Sequence, residues 1–196
     1  MIIWVDTETS GLDPRNGHLL EVALVVTDDE LNELGHVSSL VLPVGITIKE
    51  MARDLDPVVL EMHTKNGLLD ELLAATRGEL FRRYAVEEYL LAFLAKHSVS
   101  GLSIHESFKR VPLAGSTVGF DRAWLKEHMP KFESMVSYRS IDVSSITELA
   151  KRWAPAIYEN RPKADPSSIA HRALADVRES IEILRYYRRC GFLGGA

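Results

Sequence analysis

Residues 2–5 (IIWV) open the chain with an unbroken apolar run. Residues 19–27 (LLEVALVVT) form a second, interrupted only by Glu21. Short apolar runs bounded by turn residues read as buried strands. A third strand is expected over residues 31–44, after a turn at Asp28-Asp29-Glu30. Three strands at this spacing predict an antiparallel meander. Residues 57–64 read as a short helix or turn. Helical periodicity is clear over residues 85–96 (AVEEYLLAFLAK). Residues 98–112 are the least patterned segment.

Beyond them the expected order is a strand over 113–118, a helix over 120–127 limited by Pro130, and a short strand over 138–143. A helix over 144–153 follows, with Ser144 as its N-cap and Thr147-Glu148 in its first turn. Residues 155–166 read as a polar loop carrying Pro155, Pro162 and Pro166. The last helix spans about twenty residues and ends near Cys190-Gly191. Its apolar stripe is Leu174, Val177, Ile181 and Leu184. No internal repeat or low-complexity tract interrupts this order. Strands first, then helices alternating with short strands, predict an α/β fold with a mixed sheet and helices on both faces.

With 196 residues, 46% of them hydrophobic and 26% charged, the chain fits one domain over 1–196. Cys190 is the single cysteine, which excludes an internal disulfide and a cysteine-rich zinc site. That usage suits a reducing, cytoplasmic setting. No signal peptide is expected, and no stretch is long and apolar enough to span a bilayer. The net charge of −5 argues against a long electrostatic footprint on nucleic acid. It leaves room for a small site where bound cations supply the positive charge.

The candidate chemistry begins at Asp6-Thr7-Glu8-Thr9-Ser10-Gly11-Leu12, directly after the first apolar run. Alternate side chains of a strand share a face, so Asp6 and Glu8 present two carboxylates together. Carboxylates that close repel unless a cation lies between them. Hard oxygen ligands suit Mg²⁺ or Mn²⁺. Further along, Asp121 follows Gly115-Ser116-Thr117-Val118-Gly119-Phe120 at the start of a helix. His171 precedes Asp176 by five positions near the last helix. Each residue has a plainer reading alone. Asp6 and Glu8 could mark an ordinary strand end, Asp121 a helix cap, Asp176 a solvated acid beside Arg172 or Arg178, and His171 a surface histidine. The ordered set of five reverses those odds.

That set resembles the DEDD superfamily of 3′→5′ exonucleases, in the subgroup whose last motif carries histidine five residues before aspartate. Within it the chain is most similar to the oligoribonucleases, strongest at Asp121-Arg122, residues 138–144 (YRSIDVS), Arg152-Trp153, residues 176–180 (DVRES) and Tyr186-Tyr187-Arg188. The resemblance covers nearly the whole chain and implies a ribonuclease H-like fold with a mixed five-stranded sheet. It implies two divalent ions, with Asp6 bridging both, Glu8 and Asp176 completing the first site, Asp121 holding the second, and His171 taking a proton from the attacking water. Two metals about 3.5–4 Å apart suit phosphodiester hydrolysis, and a histidine of ordinary pKa about 6.5 suits a base near neutrality.

The resemblance also names substrate contacts. Leu12 matches a leucine that wedges between bases, with packing of the turn an equal reading. Thr117, Arg139 and Ser144 match contacts to the substrate's 5′-phosphate; Arg139 stands out because a guanidinium grips phosphate bidentately. The plainer readings are a strand hydroxyl for Thr117 and a cap for Ser144. Tyr138 matches a tyrosine that reaches the neighbouring subunit of a homodimer, against a core aromatic. His63 matches a histidine near the terminal base, against a surface histidine. The chain departs from the family at Thr7 and Thr9, where leucine and methionine are usual, and at Ser116 and Thr117. It departs again at Val58, where the family has a stacking tryptophan worth about 1–3 kcal/mol per base.

The expected activity is metal-dependent release of nucleoside 5′-monophosphates from short single-stranded RNA. The alternative is a 3′→5′ exonuclease on single-stranded DNA or on both nucleic acids, like proofreading subunits or ribonuclease T. A non-catalytic binding module has no reason to keep carboxylates that repel phosphate. One geometric expectation is independent of family. Five positions on an ideal helix rotate a side chain by about 500°, or roughly 140° off its starting face. His171 therefore belongs in the loop before the last helix, Asp176 in its first turns, with Ser167-Ser168 as turn residues.

Overall fold

The computed structural model describes residues 1–75, 81–98, 102–163 and 171–193. Strands β1 (Ile2–Thr9), β2 (Leu19–Thr27) and β3 (Glu33–Leu40) come first. Helices α1 (Ile48–Asp54), α2 (Pro57–Lys65), α3 (Leu68–Ala75), α4 (Arg83–Lys96) and α5 (Ile104–Phe108) follow. Then come β4 (Leu113–Gly115), α6 (Val118–His128), α7 (Pro130–Met135), β5 (Ser140–Asp142), α8 (Val143–Trp153), α9 (Pro155–Glu159) and α10 (Ala173–Arg189). The five strands make one mixed sheet in the order β3-β2-β1-β4-β5. The expected meander forms: β1 pairs antiparallel with β2, and β2 with β3. β4 joins β1 in parallel, and β5 joins β4 in parallel.

The sheet is covered on both faces, which is why β2 is apolar along nearly its whole length and all nine of its residues are buried. Ile3 and Val5 of β1 point into a cluster with Val86, Leu90 and Leu94 of α4 and Trp124 and Leu125 of α6. Trp4, from the opposite parity of the same strand, packs with Val143 of α8 and with Val177, Ile181 and Leu184 of α10. A third cluster closes the end of β2 with Leu20, Ile48, Met51, Leu68 and Leu72. Each buried Leu, Ile or Val side chain contributes about 1.5–3 kcal/mol of transfer free energy.

Several expected boundaries shift for local reasons. The third strand begins at Glu33, because the Asp28 carboxylate accepts from the Glu30 and Asn32 N–H groups and holds Leu31 in a left-handed turn (φ 67°). The strand over 113–118 stops at Gly115, because Thr117 is left-handed (φ 56°) and starts α6. The N-cap of α8 is Asp142, not Ser144. The Asp142 carboxylate accepts from the Ser144 N–H at 2.9 Å, which starts the helix at Val143. The expected loop at 155–166 contains α9, with Pro155 in its first turn, where a missing N–H costs nothing. Ser103 and Glu106 form a capping box that starts α5 inside the unpatterned segment. Ser167-Ser168 lie outside the described residues. Among the described residues no helix is long and apolar enough to cross a membrane.

Candidate active site

β1 delivers its carboxylates in the way strand alternation dictates. Asp6 and Glu8 share the parity of Trp4, and so lie on the face covered by α10. α10 brings Asp176 in its first turn. Ligand oxygens of Asp6, Glu8 and Asp176 lie within 4.8 Å of one another. Thr7, of the opposite parity, points to α6 and donates its hydroxyl to Asp121 Oδ1 at 2.7 Å. Asp121 thus comes from the other helical layer and meets the trio at the end of β1. His171 lies just before α10, with Arg172 between them. The histidine therefore stands outside the helix that carries Asp176, as five positions along one helix require. All five residues line one cleft of ≈ 410 Å³, together with Leu12, Val59, Met62 and Phe120.

The electrostatics of this cleft call for a cation. Burial, together with Asp121 and Glu8 nearby, pushes the Asp6 carboxyl up to about 9. Burial and the Asp176 charge push Glu8 up to about 9 as well. Asp121 rises to about 7 through burial, against the Thr7 hydrogen bond that pulls it down. Asp176 is also raised by burial, with His171 opposing. Cross-strand register adds to the strain, because Glu8 pairs directly with Glu21 of β2 and both are buried. The Arg172 guanidinium answers Glu21 with two contacts at 3.0 Å. Among the described residues no ion pair with lysine or arginine answers Asp6, Asp121 or Asp176. Carboxylate oxygens crowded in this way fit Mg²⁺ or Mn²⁺ by donor type and charge.

The remaining candidates divide. Leu12 is 86% exposed at the cleft, so it does not pack the turn. Thr117 lines the cleft, and its hydroxyl donates to Ser144 Oγ at 3.1 Å. Ser144 lines an adjoining pocket with Arg161 and Lys163. Tyr138 is 82% exposed, which excludes a core aromatic, and the exposed Arg139 guanidinium lies 5.3 Å from its ring centre. Neither of these two lines the cleft. His63 is fully buried, which excludes a surface histidine. It sits behind β1, with Nε2 2.9 Å from the Thr9 carbonyl and Nδ1 3.9 Å from Glu8 Oε2. Burial lowers its pKa and favours the neutral ring, which can donate to Thr9. Val58 is exposed, while its neighbours Val59 and Met62 face the cleft.

Two contributors escaped the motif reading. Thr7 orients Asp121, and only strand parity could have suggested it. Glu21 organises Arg172 and the start of α10, and its signal was visible as the one charge in a nine-residue apolar strand.

A family model described as Exonuclease matches residues 95–184. An oligoribonuclease of Mycobacterium sp. (strain KMS) is 40% identical over 193 residues, covering 98% of this chain and 81% of its own. Those of Mycobacterium tuberculosis (strain CDC 1551 / Oshkosh) and Corynebacterium glutamicum (strain R) are 39% identical. Each match covers 98% of this chain, and 81% and 80% of the respective relative. Among solved structures, exonuclease I from Methylocaldum szegediense superposes with a TM-score of 0.60 at 22% identity. E. coli exonuclease I in complex with a dT13 oligonucleotide gives 0.60 at 19%. The zinc-bound E. coli ExoI–ssDNA complex gives 0.62 at 19%. These three matches cover 96–98% of this chain but only 40–42% of the exonuclease I chains, and at such identity they show a shared fold.

Proposed function

The chain belongs to the oligoribonuclease family of exonucleases, and on that premise we propose that it degrades short single-stranded RNA from the 3′ end to nucleoside 5′-monophosphates. The observation that carries this reading is the convergence of the Asp6, Glu8 and Asp176 oxygens within 4.8 Å, beside Asp121 and His171 in one cleft. Exonucleases of this kind depend on divalent metal, and the reading takes two ions of Mg²⁺ or Mn²⁺. Asp6, Glu8 and Asp176 would hold one, and Asp6 with Asp121 the other. When bound, such ions neutralise phosphate charge and make water a stronger nucleophile.

The chain's own side chains do the rest. His171, exposed at the cleft wall, accepts a proton from the attacking water. Thr7 fixes the rotamer of Asp121 and leaves its second oxygen for the cleft. Leu12 stands at the mouth as an apolar wedge against a base. Thr117, Ser144 and Arg139 take the 5′-phosphate of a short substrate. His63 holds the Thr9 carbonyl, and so the end of the strand that carries Glu8, beneath the terminal base. Tyr138 acts in the site of a second copy, so the working unit is a homodimer. Its exposure, with Trp153 at 71% and Leu149 at 39% on α8, supports that assignment. The chain acts as a single domain over 1–196 in the cytoplasm, with no membrane partner.

DNA is the second reading, favoured by Thr7 and Thr9 and by the fold shared with a DNA-bound exonuclease I. The test uses 5′-labelled RNA and DNA of two and about twenty nucleotides, with Mg²⁺ or Mn²⁺ and then with chelator. Metal-dependent loss of the RNA dinucleotide far ahead of the other substrates is expected. Equal digestion of long DNA would favour the second reading, and binding without digestion would sink both.

A further inference from the structure

His171 occupies a backbone conformation that something must hold. Its φ is 62°, the left-handed region that residues with a Cβ seldom adopt. Its carbonyl accepts from Asn66 Nδ2, across 105 positions of sequence. Asn66 sits between α2 and α3 and is 6% exposed. Its Oδ1 accepts the Leu68 N–H at 3.0 Å, which settles the amide orientation and leaves only the nitrogen for His171.

The next two residues are fastened as firmly. Arg172 donates to both Glu21 oxygens at 3.0 Å and to both Glu71 oxygens at 2.8 Å. The Ala173 N–H donates to Glu21 Oε2 at 3.2 Å. Residues 171–173 are thus tied to β2, to α3 and to the elbow before α3. The imidazole itself is exposed, so its placement depends on its backbone rather than on packing around the ring.

We propose that Asn66 is a positioning residue for His171. Its amide holds the left-handed turn that aims the imidazole into the cleft, and the Arg172 clamp blocks rotation on the far side. This rests on the reading of His171 as the base. A base must lie within hydrogen-bond reach of the proton it takes. A displacement of about 1 Å there costs about a hundredfold in rate.

The test is a double-mutant cycle on an RNA dinucleotide with Mn²⁺. Asn66→Asp keeps the acceptor for Leu68 and replaces the donor with an oxygen that repels the His171 carbonyl. Asn66→Ala removes the donor without adding charge. Both are made in the natural and in the His171→Ala backgrounds, with melting temperature measured alongside. The expected result is a fall in kcat of about 10–100-fold for both variants, with KM nearly unchanged. In the His171→Ala background neither variant should lower kcat further. Wild-type kcat in Asn66→Asp, or the same fold-loss in both backgrounds, would overturn the proposal while leaving the base assignment intact. Full activity of His171→Ala alone would overturn the base assignment and Asn66's role with it.

Discussion

Replacing Asp6 by asparagine should stabilise the metal-free protein while abolishing turnover. In the fold Asp6 and Glu8 titrate near 9, against ordinary values of 3.8 and 4.5. Below pH 4 both states of the chain carry these protons, and the shift costs nothing. As pH rises, the unfolded chain releases them while the folded chain keeps them, so stability is lost from about pH 4 up through about pH 9. At pH 8 the gap at Asp6 is about 4 pH units, and at 1.36 kcal/mol each the ceiling is about 6 kcal/mol. Water and monovalent cations entering the open cleft relieve part of this. A third of the ceiling, about 2 kcal/mol, still moves the melting temperature of a chain this size by about 4–8 °C. Asparagine has the same shape and no proton to retain. The assay is thermal unfolding in chelator at pH 6 and pH 8, for the natural chain and for Asp6→Asn, repeated with Mn²⁺. The gain from the substitution should be larger at pH 8 than at pH 6. Mn²⁺ should stabilise the natural chain more than the variant. A gain that is zero, or that shrinks as pH rises, would refute the claim that burial and the neighbouring acids raise the Asp6 carboxyl.

Thr7→Val removes the hydrogen bond that lowers the Asp121 pKa, so Asp121 should titrate above its present value of about 7. The acidic limb of a kcat/KM against pH profile should then move upward by up to about one pH unit. An unmoved limb would remove Asp121 from the titration. Val58→Trp restores the aromatic that the family carries at this position. It should lower KM for an RNA dinucleotide by about 5-fold or more, the lower end of a stacking contact; an unchanged KM would mean that position 58 faces away from the base. Gly115→Ala places a Cβ 2.7 Å from the Val5 carbonyl oxygen, where β4 passes β1. It should cost about 1–3 kcal/mol in denaturant unfolding. A neutral result would mean that the β1–β4 contact is looser than the backbone spacing requires.

Much of this molecule is local and therefore readable along the chain. The strand character of residues 2–5 and 19–27 follows from apolar runs, broken only at Glu21, that a doubly covered sheet demands. The helix over 85–96 follows from its period. Asp6 and Glu8 share a face because strand side chains alternate, and His171 stands outside α10 because five positions cannot return to one helical face. The capping boxes at Thr47–Glu50 and Ser103–Glu106 were equally local. Competing patterns obscured them: short helices carry too few turns for a clear period.

What lay beyond the sequence depends on contacts between residues far apart in it. Nothing local says that Glu21 meets Arg172 across 151 positions, that Thr7 finds Asp121 across 114, or that Asn66 reaches the backbone of His171. Nor does Ser144 reveal that Asp142 will take its cap, or His63 that it will be buried behind a strand rather than exposed. The sequence determined which acids exist and which sides of their elements they occupy, because alternation and helical pitch are properties of the backbone. Only the tertiary structure decided how closely those acids crowd and what holds the histidine beside them, because desolvation and mutual repulsion depend on distances that packing alone sets.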